Sequence, residues 1–166
     1  MNAEVNAIAV FNPKLSPIEG YVKFHQCNYH NQAIVEFILK GFPRNSTHAC
    51  HIHKYGITSL TDPCGSTCDH YNPYNKLHGS QSLYGTDRHA GDLTNNLKSD
   101  SNGDVKFMYI DPLIDVKNIL GRSIVIHSGI DDLGVNRDFD KGSATTGNAG
   151  GRIACSVIGL DGGKCS

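Results

Sequence analysis

The chain has 166 residues, 39% of them hydrophobic, enough for one compact domain, residues 1–166, with a core of its own. Its 15 Lys and Arg against 16 Asp and Glu give a net charge of -1, which excludes both a nucleic-acid footprint and a polybasic membrane patch. The apolar runs at 33–39 and 123–126 are far shorter than the ~20 residues a membrane span requires.

Along the chain, the first segment, 1–11, carries Glu4 and no basic stretch ahead of its short apolar run, so it does not read as a signal peptide, and a cytoplasmic protein is expected. The scattered asparagines fit an AT-rich coding genome; a viral origin would make the setting a host cytoplasm or a virion. Candidate strands cover residues 3–11, 20–26, 33–40 and 47–55, each short and rich in β-branched or aromatic residues. A long loop follows from Gly56 to about Arg88. Strands resume at 91–97 and 105–110, joined by Ser101-Asn102-Gly103-Asp104, whose Asn-Gly pair suits a tight hairpin turn. The strand at 123–127 leads into a second long loop, Ser128 to about Ala149, and a last strand covers 151–158. Eight strands with no convincing helical period predict an antiparallel sandwich or barrel. Loops beyond about 15 residues are uncommon in compact domains and tend to be functional or disordered.

Chemistry concentrates between His51 and Asp92. His51 and His53 stand at i, i+2 and so project from one face of a strand. His70, His78 and His89 follow within the first loop or just after it, and Asp92 closes the run. Imidazole and carboxylate are the usual ligands of zinc and copper, so the run predicts a metal site. His127 and Arg152 flank the second loop. The six cysteines lack paired C-x-x-C spacing, which argues against a thiolate zinc site. Strand alternation turns Cys50 away from His51 and into the interior, while Cys27 and Cys165 read as exposed thiols. His25 and His30 read as solvated strand-end residues, and His48 as a local hydrogen-bonding residue.

Read together, His51-Ile52-His53-Lys54-Tyr55-Gly56, Asp69-His70-Tyr71-Asn72-Pro73, Leu77-His78-Gly79, Arg88-His89-Ala90-Gly91-Asp92-Leu93, Ile124-Val125-Ile126-His127, Asp131-Asp132-Leu133-Gly134 and Thr146-Gly147-Asn148-Ala149-Gly150-Gly151-Arg152-Ile153-Ala154-Cys155 resemble the copper-zinc superoxide dismutase family, in the family's order. The resemblance implies an eight-stranded antiparallel Greek-key β-barrel, an immunoglobulin-like sandwich with two long functional loops. It implies an antioxidant oxidoreductase that converts superoxide to dioxygen and hydrogen peroxide by alternate reduction and oxidation of a bound copper ion, with zinc structural. Carried over by residue, copper falls to His51, His53, His70 and His127, and zinc to His70, His78, His89 and Asp92. His70 then bridges the two ions and, with Arg152 beside the copper, carries catalysis. Asp131 is implied to link His51 to His78, and Asp132 reads as a surface charge. Cys64 and Cys155 match the family's disulfide, with Cys68 a rival for Cys64 by sequence proximity.

The resemblance also implies a homodimer, through Gly56-Ile57, Leu120-Gly121 and Val157-Ile158-Gly159-Leu160, and a possible copper chaperone as partner. The chain departs from many family members in one respect: the lysines common around the copper channel have no counterparts at Gly129 and Thr145. Lys141 and Arg137 offer displaced positive charge instead. A metal carrier of the same fold and a purely structural zinc β-domain are the competing readings. The first predicts loss of a copper histidine or of Arg152, and the second leaves His51, His53 and His127 without purpose.

Overall fold

A computed structural model describes residues 5–26 and 32–162, and within them eight strands run antiparallel: β1 Val5–Phe11, β2 Glu19–Gln26, β3 Ala33–Lys40, β4 Thr47–His53, β5 Asn95–Lys98, β6 Val105–Asp111, β7 Ser123–His127 and β8 Arg152–Leu160. Cys27, His30 and Cys165 lie outside the described residues. The strand order is β5-β4-β7-β8-β1-β2-β3-β6, a nearly closed barrel whose seam falls between β5 and β6. The crossovers from β3 to β4 and from β6 to β7 make it a Greek key.

Period-two burial explains the barrel. On β3, Ala33, Val35, Phe37 and Leu39 turn inward while Ile34, Glu36, Ile38 and Lys40 lie on the outer face. Phe37 pairs in register with Phe107 of β6, and their rings stack with centroids 4.8 Å apart. Phe24, Ile52, Leu97, Ile124, Ile126 and Ile158 complete the fully buried interior, each contributing about 1.5–3 kcal/mol of burial.

Strands β4 and β7 depart from that pattern because both of their faces are buried. Cys50, Ile52, Ile124 and Ile126 belong to the core, and burial pushes the Cys50 thiol upward. The opposite face, carrying His51, His53 and His127, is covered by the two long loops instead of solvent. Strand β4 pairs with β7, His51 opposite Val125, and this register brings the histidines together.

Three expectations are corrected. The strand expected over 91–97 is Asn95–Lys98, because residues 88–94 are spent on the site: Ile52 N donates to Gly91 O and Gly91 N to Tyr71 O. Strand β4 stops at His53 and not at Tyr55, as Lys54 N and Tyr55 N turn to Asp69 O and Thr67 O of the first loop. His25 is half-buried in β2, its Nδ1 2.5 Å from Asn6 Oδ1 on β1, and not a solvated strand end.

The long loops hold one-turn helices too short to show a period in sequence: α1 Gln81–Tyr84 and α3 Lys141–Thr145, with α2 Val116–Ile119 before β7. Ser80, Asp115 and Asp140 cap their N-termini. A Cys64–Cys155 disulfide, spanning 91 residues, ties the first loop to β8 and contributes ~4 kcal/mol in the chain-entropy model. No helix among the described residues is long and apolar enough to cross a membrane.

Candidate metal centre

Three of the predicted residues stand on the outer face of β4 and β7, and the loops supply the rest. The first loop reaches β4 through a bridge between His70 and His53, where Tyr71 N donates to Ile52 O at 2.8 Å. Gly91 permits this approach, since a Cβ there would stand 2.3 Å from Ile52 O. His48 Nδ1 lies 2.9 Å from His127 O, the local hydrogen bond expected of it.

One nitrogen each from His51, His53, His70 and His127 falls within 4.8 Å of the others. The remaining nitrogens fix which atom faces the cluster. His51 Nε2 lies 2.5 Å from Asp131 Oδ2, His53 Nδ1 2.6 Å from Cys68 O, and His127 Nδ1 3.2 Å from Gly150 O. That leaves His51 Nδ1, His53 Nε2, His127 Nε2 and His70 Nε2 facing inward. His51 Nδ1 and His70 Nε2 are buried and have no hydrogen-bond partner. His53 Nε2 and His127 Nε2 lie 3.3 Å apart. Buried nitrogens are normally satisfied, and four converging imidazoles, two of them with an unpartnered buried nitrogen, fit a soft-to-borderline cation such as copper.

The second cluster is organised by Asp92. Its Oδ2 accepts from Gly79 N and His89 N at 3.0 and 3.1 Å. Its Oδ1 lies 2.8 Å from His70 Nδ1, 3.0 Å from His78 Nδ1 and 3.1 Å from His89 Nδ1. His78 Nδ1 makes no aligned hydrogen bond despite that distance. Three imidazoles and one carboxylate oxygen suit four-coordinate zinc. His70 belongs to both clusters, through opposite nitrogens. The ligand atoms that all lie within 4.8 Å of one another here come from His51, His70, His78 and Asp92, so His51 falls in both clusters, its ring centroid 4.0 Å from that of His70, while His89 joins through Asp92 Oδ1.

Asp131 joins the clusters from behind, its Oδ2 on His51 and its Oδ1 3.0 Å from His78 Nε2. Asn96 of β5 holds it in place: Asn96 Nδ2 donates to Asp131 O and Asp131 N to Asn96 Oδ1, both at 2.9 Å. Gly147, at φ +63°, leaves room for it, because a Cβ there would stand 2.4 Å from both Asp131 Oδ1 and His78 Nε2. Asp132, close to His78 and Asp131, is a loop brace and not a surface charge: it accepts from Gly134 N, Ser143 Oγ and Asn148 Nδ2.

Burial, then His70, push His51 down to about 3 against the pull of Asp131. Burial likewise lowers His127 to about 4, and lowers His53 and His70. For His78 burial is outweighed by Asp131 and Asp92, and its pKa rises to about 9. Those histidines in turn hold Asp92 and Asp131 below the carboxylate range in spite of burial. The four lowered imidazoles stay neutral when folded but take protons below about pH 6.5 when unfolded, so acid favours the unfolded chain. His78 acts the other way, its contribution being complete below about pH 6.5 and lost as pH rises through about 9. The two aspartates contribute above about pH 3.9 and lose that contribution below it. With the His78 contribution constant below about pH 6.5, the four lowered imidazoles make the metal-stripped chain lose stability as pH falls from about 6.5 to about 4. Urea-unfolding midpoints across this range check the sign, and a midpoint that rises toward acid contradicts it.

Arg152 is half-buried at the start of β8 and pinned to the first loop. Its Nη1 donates to Cys64 O at 2.7 Å and Thr67 Oγ1 at 3.1 Å, and its Nη2 to Cys68 O at 2.7 Å. Cys68 sits at φ 64°, ψ -147°, and its carbonyl thereby serves His53 and Arg152 together. Cys68 is a free thiol, the disulfide having formed between Cys64 and Cys155.

Between the loops opens a groove of about 960 Å³, with Tyr71 and Lys76 on one wall, Lys141 and Thr145 on the other, and His70 and His89 at its base. Lys141 lines this groove, whose walls do not include His53, His127 or Arg152. Arg137 does not supply the displaced positive charge expected of it: its guanidinium is spent on Asp87 and lies 3.6 Å over the Tyr84 ring.

Sequence reasoning missed Arg88, Asp111 and Asn96. Arg88 is fully buried, donating to Asp92 O at 2.6 Å and Asp111 Oδ1 at 2.9 Å. Its place beside His89 was a signal; its partner, 23 residues further on, left none.

Comparison with known proteins follows this geometry. The family model described as copper/zinc superoxide dismutase (SODC) matches residues 18–158. A superoxide dismutase [Cu-Zn] of Humicola lutea is 42% identical over 161 residues, covering 94% of this chain and 99% of the relative. One from Paramecium bursaria Chlorella virus 1 is 40% identical over 161 residues, 93% of this chain and 78% of that protein. A crystal structure of the clock protein EA4 superposes with a TM-score of 0.82 at 33% identity, covering 96% of this chain and 97% of that one.

Proposed function

The chain belongs to the copper/zinc superoxide dismutase family and is an oxidoreductase acting on superoxide, and we propose that its two histidine clusters divide the metals between them. In this reading His51 Nδ1, His53 Nε2, His70 Nε2 and His127 Nε2 hold copper, while His70, His78 and His89 through Nδ1 and Asp92 through Oδ1 hold zinc. The observation that carries it is the double use of His70: Nδ1 faces Asp92 at 2.8 Å and Nε2 points, unpartnered and buried, into the other cluster.

Copper, when bound, supplies the one-electron couple that superoxide alternately reduces and reoxidises, and zinc a fixed charge that keeps His70 Nδ1 occupied. The protein's part is positional. His70 can carry a proton at Nε2 toward substrate while Nδ1 stays committed to the Asp92 cluster. Asp131 sets the tautomers of His51 and His78 together, so the copper and zinc ligands are oriented by one carboxylate. Arg152, its guanidinium held by four groups of the first loop, offers a fixed cation for a small anion. Lys141 adds charge along the groove.

The finer parts of the reading are a homodimer, a copper chaperone as loading partner, and a cytoplasmic setting, that of a host cell or virion if the composition reflects a viral origin. Support for the dimer comes from Ile57, Val157 and Leu160, which are 37%, 41% and 69% exposed in two of the segments that match the family's contact. Sedimentation giving a monomer at micromolar concentration would overturn it. For the activity, metal analysis with a superoxide-decay assay is the test: copper and zinc with turnover support the reading. Zinc alone favours a structural domain, and both metals without turnover favour a carrier.

A further inference from the structure

The two long loops clasp each other over His78 through Arg137, and nothing in the copper chemistry uses this contact. Arg137 arises in the second loop, yet its Nη2 lies 2.7 Å from Asp87 Oδ2 and its Nη1 2.8 Å from Asp87 O, both in the first loop. The guanidinium lies over the Tyr84 ring, and Tyr84 Oη returns the contact by donating to Gly134 O at 2.8 Å. Asp87 is a junction, because its other oxygen pairs with Lys76 Nζ at 3.2 Å. Arg137 is 12% exposed in its side chain and Asp87 56%, so water screens the ion pair and the contact rests on the guanidinium's stacking over Tyr84 and its bond to the Asp87 carbonyl.

What lies beneath is the His78 segment. Arg137 Nη1 reaches His78 O at 3.5 Å, and His78 N donates to Ala144 O at 2.8 Å. Gly79 fits under the clasp, where a Cβ would stand 2.7 Å from the Tyr84 ring and 3.2 Å from Arg137 Nη1. His78 thus has second-loop contacts on its backbone as well as Asp131 on its ring. A ligand held in this way cannot swing out of the site unless the two loops part.

We propose that Arg137 is a positioning residue for zinc: by clasping Tyr84 and Asp87 to the second loop it keeps the His78 segment closed and slows metal release. Loops with few buried apolar contacts open at low free-energy cost, and an aligned, stacked guanidinium is what raises that cost here. The inference rests on the assignment of His78 to zinc made above.

The test uses the metal-loaded enzyme and a chromophoric zinc chelator in excess. Release is followed after mixing for the parent, Arg137→Ala, Arg137→Lys and Asp87→Asn, with copper content and the unfolding midpoint of the metal-stripped proteins measured alongside. Arg137→Ala is expected to release zinc about tenfold faster, at the lower end of the ~10- to 100-fold typical of a lost outer partner. Asp87→Asn should speed release less, and Arg137→Lys should restore part of the retention, with copper content unchanged in all three. A general loss of stability would move the metal-stripped midpoint; the clasp predicts faster zinc release at an unchanged midpoint. Parent-like release in both Arg137→Ala and Asp87→Asn overturns the clasp. A parent that carries copper but no zinc overturns the ligand assignment beneath it, which keeps the two failures apart.

Discussion

Arg88→Met is expected to lower the unfolding free energy by about 3–5 kcal/mol and to reduce zinc content. The arginine is wholly inside the protein and ion-paired with Asp111, itself buried. Taking the cation away leaves a buried carboxylate supported only by Tyr109 Oη at 3.2 Å and Leu113 N at 2.9 Å. Methionine fills similar volume, so the loss reflects the stranded charge and not a cavity. The zinc effect follows because the same guanidinium holds Gly85 O, His89 O and Asp92 O, the backbone that carries two of the proposed zinc ligands. Urea unfolding of the metal-stripped chain measures the first effect and metal analysis the second. Adding Asp111→Leu removes the stranded charge and should recover most of the stability but not the zinc. A loss below about 1 kcal/mol for the single variant contradicts the account.

His70→Ala is expected to reduce superoxide turnover by more than the ~10- to 100-fold that follows loss of an outer hydrogen-bond partner. Among the described residues, His51 is the other side chain placed in both ligand groups. Its Nε2 is committed to Asp131, which leaves it one nitrogen to offer, whereas His70 turns Nδ1 toward Asp92 and keeps Nε2 buried and unpartnered. Removing the ring deletes one nitrogen from each proposed metal set and the proposed proton carrier between them, while the barrel is left intact, since the His70 backbone still bridges to β4. Turnover within tenfold of the parent, at parental metal content, would show that the proposed bridge does not carry the chemistry.

The barrel was legible because alternation is a local property: β3 and β7 were read with the bounds they have. β5 was started too early because the backbone of Gly91 is committed to Tyr71 and Ile52, a tertiary demand that no local pattern announces. The histidine run was legible because few other functions need so many imidazoles in so short a span. The pairing across the two clusters was not. Asp92 serves as hub only because Gly79 N and His89 N claim its second oxygen. Arg137 was misread for the opposite reason: a cation in a loop looks free in sequence, and only the fold brings Tyr84 and Asp87 beneath it. Asn96 and Asp111 belong to the same class, polar groups whose partners are distant in sequence.

The central claim is that two metals are separated by the two nitrogens of one imidazole, and its most direct test is metal content in two single variants. His127→Ala should lose copper and keep zinc, because His127 touches only the first cluster, and His89→Ala should lose zinc and keep copper. If His127→Ala loses zinc while retaining copper, or if both variants retain both metals at the parental ratio, the division of ligands proposed here is wrong.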